Sequence, residues 1–494
     1  MKYSVFLCFI IAVNAHYWDI LKIVEDNIDD SVHPCDDFYR HVCNKNGPFS
    51  STWDMELMNA YNEDIREIAE HYVPKKLMES MEFFGRIARQ GFDTSVLIDL
   101  RGKYLEKCQT NSTEALVFLQ MLESFFGREP TDPCWGDKCF TNLVWDKNCQ
   151  QASETLMKGA VNLLIEKIEQ NKKKMEFART IIMNGLSSIW ALRHQDEFEK
   201  LSEMFSFFKE ELMASIKKTP WLINSDTMDA FLNISSQMRL TLPNEEISQT
   251  LSDILNYQIS YENCVKTYNS LGLLANEFCA IFSLQEQENY ALFEVNAWNG
   301  HPEVTVLNAV VSLMSNNGSL ALRYGSVGAL LGHEMGHSVI MNDLSDGFYP
   351  YYSKEINPCV QQQFNKSCNV YKEGSCRVGE DQIDENGSDI FGFPFVYERL
   401  KQKMGDRIHE KIAESKRGLT HAQAFFHLVF NIGCQRGDVD YLENDVHGTL
   451  NIRVNAGVIQ IPDFEKVFKC SKDSRMVQSK TKQCHIFGEN APQQ

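Results

Sequence analysis

One five-residue pattern constrains this chain more than any other feature: His333-Glu334-Met335-Gly336-His337, preceded by the apolar run Val327 to Leu331. On a helix, residues four apart lie one turn apart on the same face. Both imidazoles can then reach one zinc ion. Glu334 stands beside them, placed to take a proton from a metal-bound water. An ordinary buried helix with two hydrogen-bonded histidines is the plain alternative. The apolar lead-in fits a core-facing metal helix, expected over residues 325–341.

A zinc site of this type needs a third protein ligand, and three acids follow the motif. Asp343 comes six residues after His337, but the class that uses this position has a glycine at the intervening turn, where Ile340 stands here. Glu355 lies at a gap used by several zinc sites that take a glutamate, yet Pro358 disfavours a supporting helix around it. Glu385 lies in Glu385-Asn386-Gly387-Ser388-Asp389. There the two acids share one helical face, so one can bind metal while the other orients a ligand imidazole. A solvated helix surface is the ordinary reading of two acids so spaced. Gly387 inside that helix costs about 1 kcal/mol relative to alanine and suggests a close approach.

The compartment is expected from the ends and the cysteines. Lys2, an apolar run from Val5 to Val13 and then Val13-Asn14-Ala15 read as a signal peptide over residues 1–15. The run is too short to span a bilayer, which needs about 20 apolar residues. The chain has 15 cysteines. Removal of Cys8 with the signal leaves an even number, as a fully paired extracellular framework requires. Asn111, Asn233, Asn317 and Asn365 sit in glycosylation tripeptides. A secreted, extracellular protein without a transmembrane span is therefore expected.

The chain carries 48 basic against 67 acidic side chains, a formal charge of −19, which argues against a nucleic-acid partner. Its 43% of hydrophobic residues suffices for packed cores. Residues 54–290 read mainly as helix. Leu156, Met157, Ala160, Leu163, Leu164 and Ile168 form one apolar stripe, and Leu201, Met204, Phe205, Phe208 and Leu212 another. Asn244 is placed to cap a following helix. Near residue 291 the rhythm changes: Phe293, Val295 and Ala297 alternate with Glu294, Asn296 and Trp298, a strand pattern. Residues 342–379, with Pro350, Pro358 and three cysteines, read as loop, and a helix is expected over about 380–400.

Several blocks together resemble the neprilysin and endothelin-converting-enzyme group of zinc metallopeptidases. They are Pro34-Cys35-Asp36-Asp37-Phe38-Tyr39 with Cys43, Val295-Asn296-Ala297-Trp298, and Tyr324-Gly325-Ser326-Val327-Gly328 leading into Gly332-His333-Glu334. Glu385 to Asp389, and Asp445-Val446-His447 followed by Arg453, complete the set. Residues 110–260 show little resemblance.

The resemblance implies a fold that is mainly α with a small mixed sheet: a thermolysin-like catalytic lobe plus a reduced helical cap. The expected ranges are 16–110 for an N-terminal helical segment tied to that lobe, 111–259 for the cap and 260–494 for the catalytic lobe. It also implies one Zn2+ per chain, held by His333, His337 and Glu385. Glu334 would be the general base and Asp389 would orient His333. His447 would stabilise the oxyanion, with Asp445 fixing its tautomer. Asn296, Ala297 and Arg453 would hold the substrate backbone.

The implied activity is that of a secreted endopeptidase cutting peptides on the amino side of hydrophobic residues. A catalytically inactive binding protein on the same scaffold is the alternative. The resemblance further implies the pairs Cys35–Cys470, Cys43–Cys434, Cys108–Cys264 and Cys359–Cys484, and a local Cys368–Cys376 pair. Oligomeric state is not implied.

The chain also departs from the family. It is shorter between Cys43 and the Asn296 strand, Asn308 replaces a proline, and the end reads Cys484-His485-Ile486-Phe487. Ile340 replaces an acid that the family usually carries three positions after the second histidine, which alters the expected support of the metal ligands. Asn386-Gly387-Ser388 forms a further glycosylation tripeptide, expected to stay unmodified because a glycan there would block the site.

Overall fold

The structure is a computed structural model. It describes residues 20–43, 181–223, 226–243, 247–267, 296–315, 318–340, 356–371, 376–429 and 446–491, with Cys279 and a few positions between 63 and 110. The expected signal peptide, the stripe at 156–168, Asn244, Asp343, Glu355, Asp445, Asn111, Asn317, Cys108 and Cys434 lie outside the described residues.

The chain divides into two compact units. One comprises Met1–Asp64, Trp190–Glu245 and Phe293–Gln494, and the other Ile65–Ile189 and Glu246–Leu292. This division runs along different lines from the expected ranges, because residues 190–245 belong with the unit that carries the metal motif.

In order along the chain, the helices of the described residues are α1 (Ile20–Asn27), α2 (Phe38–Cys43), α3 (Gln195–Lys217), α4 (Asp226–Gln237), α5 (Ile247–Thr267), α6 (Asn308–Val311) and α7 (Leu320–Arg323). They continue with α8 (Ala329–Val339), α9 (Asn357–Tyr371), α10 (Ile383–Met404), α11 (His421–Leu428), α12 (Leu450–Gln460), α13 (Phe464–Val467) and α14 (Arg475–Ser479). Strands β1 (Arg239–Thr241), β2 (Ala297–Gly300) and β3 (Glu303–Val306) form a mixed sheet in the order β1-β3-β2. The parallel pair β1–β3 places Arg239 opposite Glu303, and their side chains form an ion pair. The antiparallel pair sets Ala297 against Val306 and Gly300 against Glu303, which leaves β2 at an edge of the sheet among the described residues.

The smaller unit contains α5. Its Ile254, Tyr257 and Tyr261 are buried, and a Cβ at Gly185 would come 2.7 Å from Ile254 Cδ1. Cys264 there bonds Cys279, 15 residues away. The expected Cys108–Cys264 pair is therefore corrected. The local partner closes a short loop, at a lower entropic cost than a distant one.

The larger unit is built around α8 and α10. Expected over 325–341, the metal helix runs Ala329–Val339 and follows a π turn at Tyr324–Gly328. Leu331, Met335 and Val339 are fully buried on it, so its apolar character is spent on the core as expected. Glycines at the crossing let the two backbones approach. A Cβ on Gly392 would sit 2.6 Å from both Gly332 C and His333 N, and one on Gly332 would meet Val396 Cγ2 at 2.4 Å. Helix α3 supplies the stripe Leu201, Met204, Phe205, Phe208 and Leu212, all buried. Phe208 packs edge-on against Tyr324 and Phe395 at centroid distances of 5.4 and 5.8 Å.

The expected loop over 342–379 contains α9, a 15-residue helix. Pro358 falls in its first turn, where the missing N–H has no helical partner to lose and the fixed φ suits the helix. The proline that argued against a helix thus begins one.

The N-terminal Cys-containing block docks onto the C-terminal helices of the same unit. Cys35 bonds Cys470, and Cys359 bonds Cys484. Phe38 is fully buried against Phe464 and Phe468. Asn455 Oδ1 accepts from Tyr39 N at 2.9 Å while its Nδ2 donates to Asp37 at 3.0 Å. Cys368 bonds Cys376, as expected. Cys43 is also disulfide-bonded.

The glycine crossing predicts a specific sensitivity. Gly392→Ala puts a methyl group into the backbone of α8, which cannot move aside as a side chain can. It is expected to cost about 2 kcal/mol or more in denaturant unfolding. Gly300→Ala, which has open space around its Cβ, is expected to change stability by less than about 0.5 kcal/mol.

Candidate active site

The α8–α10 crossing brings the expected metal ligands together. His333, His337 and Glu385 offer donor atoms that all lie within 4.8 Å of one another, and no other such group occurs among the described residues. His333 Nε2 lies 3.1 Å from His337 Nε2 and 3.3 Å from Glu385 Oε2, and His337 Nε2 lies 3.6 Å from Glu385 Oε1. Bonds of about 2.0–2.2 Å to a tetrahedral zinc put its ligand atoms roughly 3.3 Å apart. The three separations match that edge length, so the donor set fits zinc in both type and spacing.

The surrounding charges also favour a cation. Glu334, Asp384, Glu385 and Asp389 gather here around a single nearby guanidinium, that of Arg453. Burial alone would raise Asp389, but Arg453 and His333 hold its carboxyl below the usual range. Glu385 is likewise held far down despite burial, by His333 and His447. Burial would lower His333, yet its contacts with Asp389 and Glu385 push it up to about 10.

Apart from Asp445, which lies outside the described residues, the expected site residues can be placed. Asp389 is fully buried, one helical turn beyond Glu385, with Oδ1 2.8 Å from His333 Nδ1. That contact leaves the histidine's Nε2 directed at the metal position. Glu334 is buried beside the ligands on α8, and burial raises its pKa, the direction that makes a carboxylate a better proton acceptor near neutrality.

His447 Nε2 lies 3.1 Å from Glu385 Oε1, its side chain about half exposed. The segment holding it is anchored by Gln382 Nε2, which donates to the His447 carbonyl at 3.1 Å.

Arg453 is engaged with the acid pair. Its Nε donates to Asp389 Oδ2 at 2.7 Å, and one terminal nitrogen donates to Asp389 Oδ1 at 2.9 Å and Glu385 Oε2 at 3.2 Å. Ala297 begins edge strand β2. Asn296 precedes it, with its side-chain oxygen accepting from Ala297 N and its carbonyl from Leu307 N.

Sequence reasoning missed Asn299. Its Nδ2 donates to the Glu334 carbonyl at 2.6 Å and to Ser338 Oγ at 2.7 Å, tying β2 to the metal helix. The only signal was a polar residue in a short edge strand, which is common on any sheet. Asn386 is 1% exposed. The close approach suggested by Gly387 is real but comes from a side chain: a Cβ there would lie 2.6 Å from Ile340 Cγ2.

A crossed helix pair carrying His-Glu-x-x-His on one member and a glutamate ligand on the other is the arrangement of glutamate-type zinc metallopeptidases. Comparisons with known proteins narrow the class. Residues 304–484 match the model of peptidase family M13.

Among curated proteins, neprilysin-3 of Drosophila melanogaster is 24% identical over 187 residues, covering 35% of this chain and 23% of that protein. Neprilysin of Oryctolagus cuniculus is 26% identical over 184 residues, 34% of this chain and 24% of that protein. The match thus spans about a quarter of the length of the curated relatives. Through this segment the chain is similar to the neprilysin-like M13 family of zinc metallopeptidases.

Two solved structures share the fold. One is the Haemonchus galactose containing glycoprotein complex, with a TM-score of 0.52 and 18% identity over 94% of this chain and 98% of that one. The other is the zinc metalloprotease ZMP1 of Mycobacterium tuberculosis in complex with inhibitor, with a TM-score of 0.52 and 13% identity over 91% and 97%.

The buried acid pair depends on its guanidinium. Arg453→Leu removes the guanidinium that bridges Asp389 and Glu385 and is expected to destabilise the zinc-free protein by about 3 kcal/mol in denaturant unfolding. Zinc should recover part of that loss, because it neutralises the same carboxylates.

Proposed function

We propose that this protein is a secreted zinc-dependent endopeptidase that hydrolyses peptides, cutting on the amino side of hydrophobic residues. The observation that carries the reading is the spacing of the His333, His337 and Glu385 donor atoms, with a buried Glu334 beside them. Zinc, when bound, supplies a Lewis acid that polarises the scissile carbonyl and makes water a nucleophile near neutral pH.

The remaining work falls to the chain. Edge strand β2, with Asn296 and Ala297 at its start, can pair with an extended peptide and lay it along the metal helix. Glu334 accepts a proton from the attacking water and returns it to the leaving amine nitrogen as the peptide bond breaks. His447, half exposed at the rim of the site, donates from Nε2 to the developing oxyanion, which requires it to turn from Glu385 toward substrate. Asp389 keeps His333 Nε2 facing the metal, and Arg453 holds the two α10 carboxylates in register. Its guanidinium edge is then available to a substrate carbonyl.

Among the described residues no helix is long and apolar enough to cross a membrane. The disulfides require an oxidising compartment. The disulfides support a secreted protein.

Glu334→Gln keeps the size of the base and removes its ability to take a proton. It is expected to retain one zinc per chain and to lose peptide turnover by at least about 100-fold. An inactive binding protein would show no Glu334-dependent turnover in either form, and turnover unchanged by the substitution would overturn the mechanism. Protein recovered from a secretory host is expected to carry glycans at the exposed Asn233 and Asn365 and none at Asn386. Peptide mapping reads this directly.

A further inference from the structure

His333 has Asp389 behind it, but the family's usual acid three positions after His337 is here Ile340, a fully apolar side chain that is 3% exposed. An imidazole that binds metal through Nε2 needs a partner on Nδ1 to fix its tautomer and its ring angle. Two groups occupy that place, both from the facing helix. Asp384 Oδ1 lies 3.2 Å from His337 Nδ1. Ser388 Oγ, four residues further along the same face of α10, is also 3.2 Å from it. The Asp384 oxygen is buried and makes no hydrogen bond among the described residues, so its approach to His337 Nδ1 is a charge contact that leaves it unpartnered. Ser388 is fully buried.

The space vacated by the acid is filled. Ile340 turns against α10 at Gly387, where any Cβ would fall 2.6 Å from Ile340 Cγ2. A larger residue facing Ile340 would force one of the two to shift. The residues on either side of the metal glutamate and of that glycine then supply the polar groups that Ile340 cannot.

We infer that Asp384 and Ser388 are the positioning residues of His337 in this chain, a carboxylate–hydroxyl pair on α10 that replaces the acid absent from the end of α8. The inference rests on the zinc site proposed above. His337 carries its proton on Nδ1, hydrogen-bonded to Ser388 Oγ and drawn by the nearby Asp384 carboxylate, so Nε2 presents its lone pair to the metal. Each histidine is thereby held from the helix that carries the third ligand. The ring planes and Glu385 move as one body if α8 and α10 shift.

The test is zinc affinity, measured by competition with a chromophoric chelator, together with thermal unfolding of the zinc-free full chain. Wild type must first take up one zinc and His333→Ala must lose it. If wild type binds none, the zinc reading falls and this inference with it. Given binding, Asp384→Ala with Ser388→Ala is expected to weaken zinc about 10- to 100-fold, with the zinc-free melting temperature within about 2 °C of wild type. Asp384→Asn, which still offers an oxygen to the Nδ1 proton, should restore most of the affinity when Ser388 is intact. Two results would overturn the assignment: zinc bound by the double variant as tightly as by wild type, or a fall in affinity matched by a collapse of zinc-free stability. Cobalt substitution gives a separate reading, since a rotated His337 ring changes the visible spectrum of the bound ion while a remote structural defect leaves it unchanged.

Discussion

The close crossing of α8 and α10 is the contact on which the rest of the site depends. A zinc site of this kind tolerates little error in the placement of its ligands, and two of them stand on one helix while the third stands on another. What fixes their separation is the backbone approach at Gly332 and Gly392, where no Cβ fits. Every other element of the larger unit can be read as support for that seam. Phe208 of α3 seals it through Tyr324 and Phe395, Asn299 of β2 fastens the sheet edge to it, and Arg453 of α12 spans the α10 carboxylates from the far side.

Charge then does what packing cannot. Four carboxylates near one guanidinium would repel one another in a dry interior. They coexist because Glu385 and Asp389 have specific partners in Arg453, His333 and His447, and because the three donors leave room for a divalent ion. The same arrangement orients the imidazoles, since the groups that relieve the carboxylates are the ones that the histidines offer.

Much of this was legible in the sequence, for identifiable reasons. His333, His337 and Glu334 are local, since their relation is set by helical periodicity alone. Glu385 and Asp389 share a face by the same rule, although only the resemblance singled them out from the other acids. The stripe on α3 was legible because burial repeats every three to four residues.

What escaped was non-local or ambiguous. Pro358 reads as a breaker in sequence and as a first-turn residue in the fold. The Cys264 partner depends on how a loop closes, which no spacing reveals. The roles of Asp384 and Ser388 could not be read from a motif, because they exist only where one helix faces the other. Asn299 matters through a backbone carbonyl on another element.

The bridge from Cys35 to Cys470, whose ends are separated by 435 positions in sequence, changes what damage does to this molecule. A single cut of the main chain anywhere between those two cysteines leaves both pieces covalently joined. In an environment rich in other proteases, such a chain can be nicked in a surface loop and still remain one particle, its opening segment pinned beside Phe464 and Phe468. Loss of the segment then requires either a second cut or a reductant. The bond thus makes the protein's integrity depend on the redox state of its surroundings more than on the continuity of its backbone.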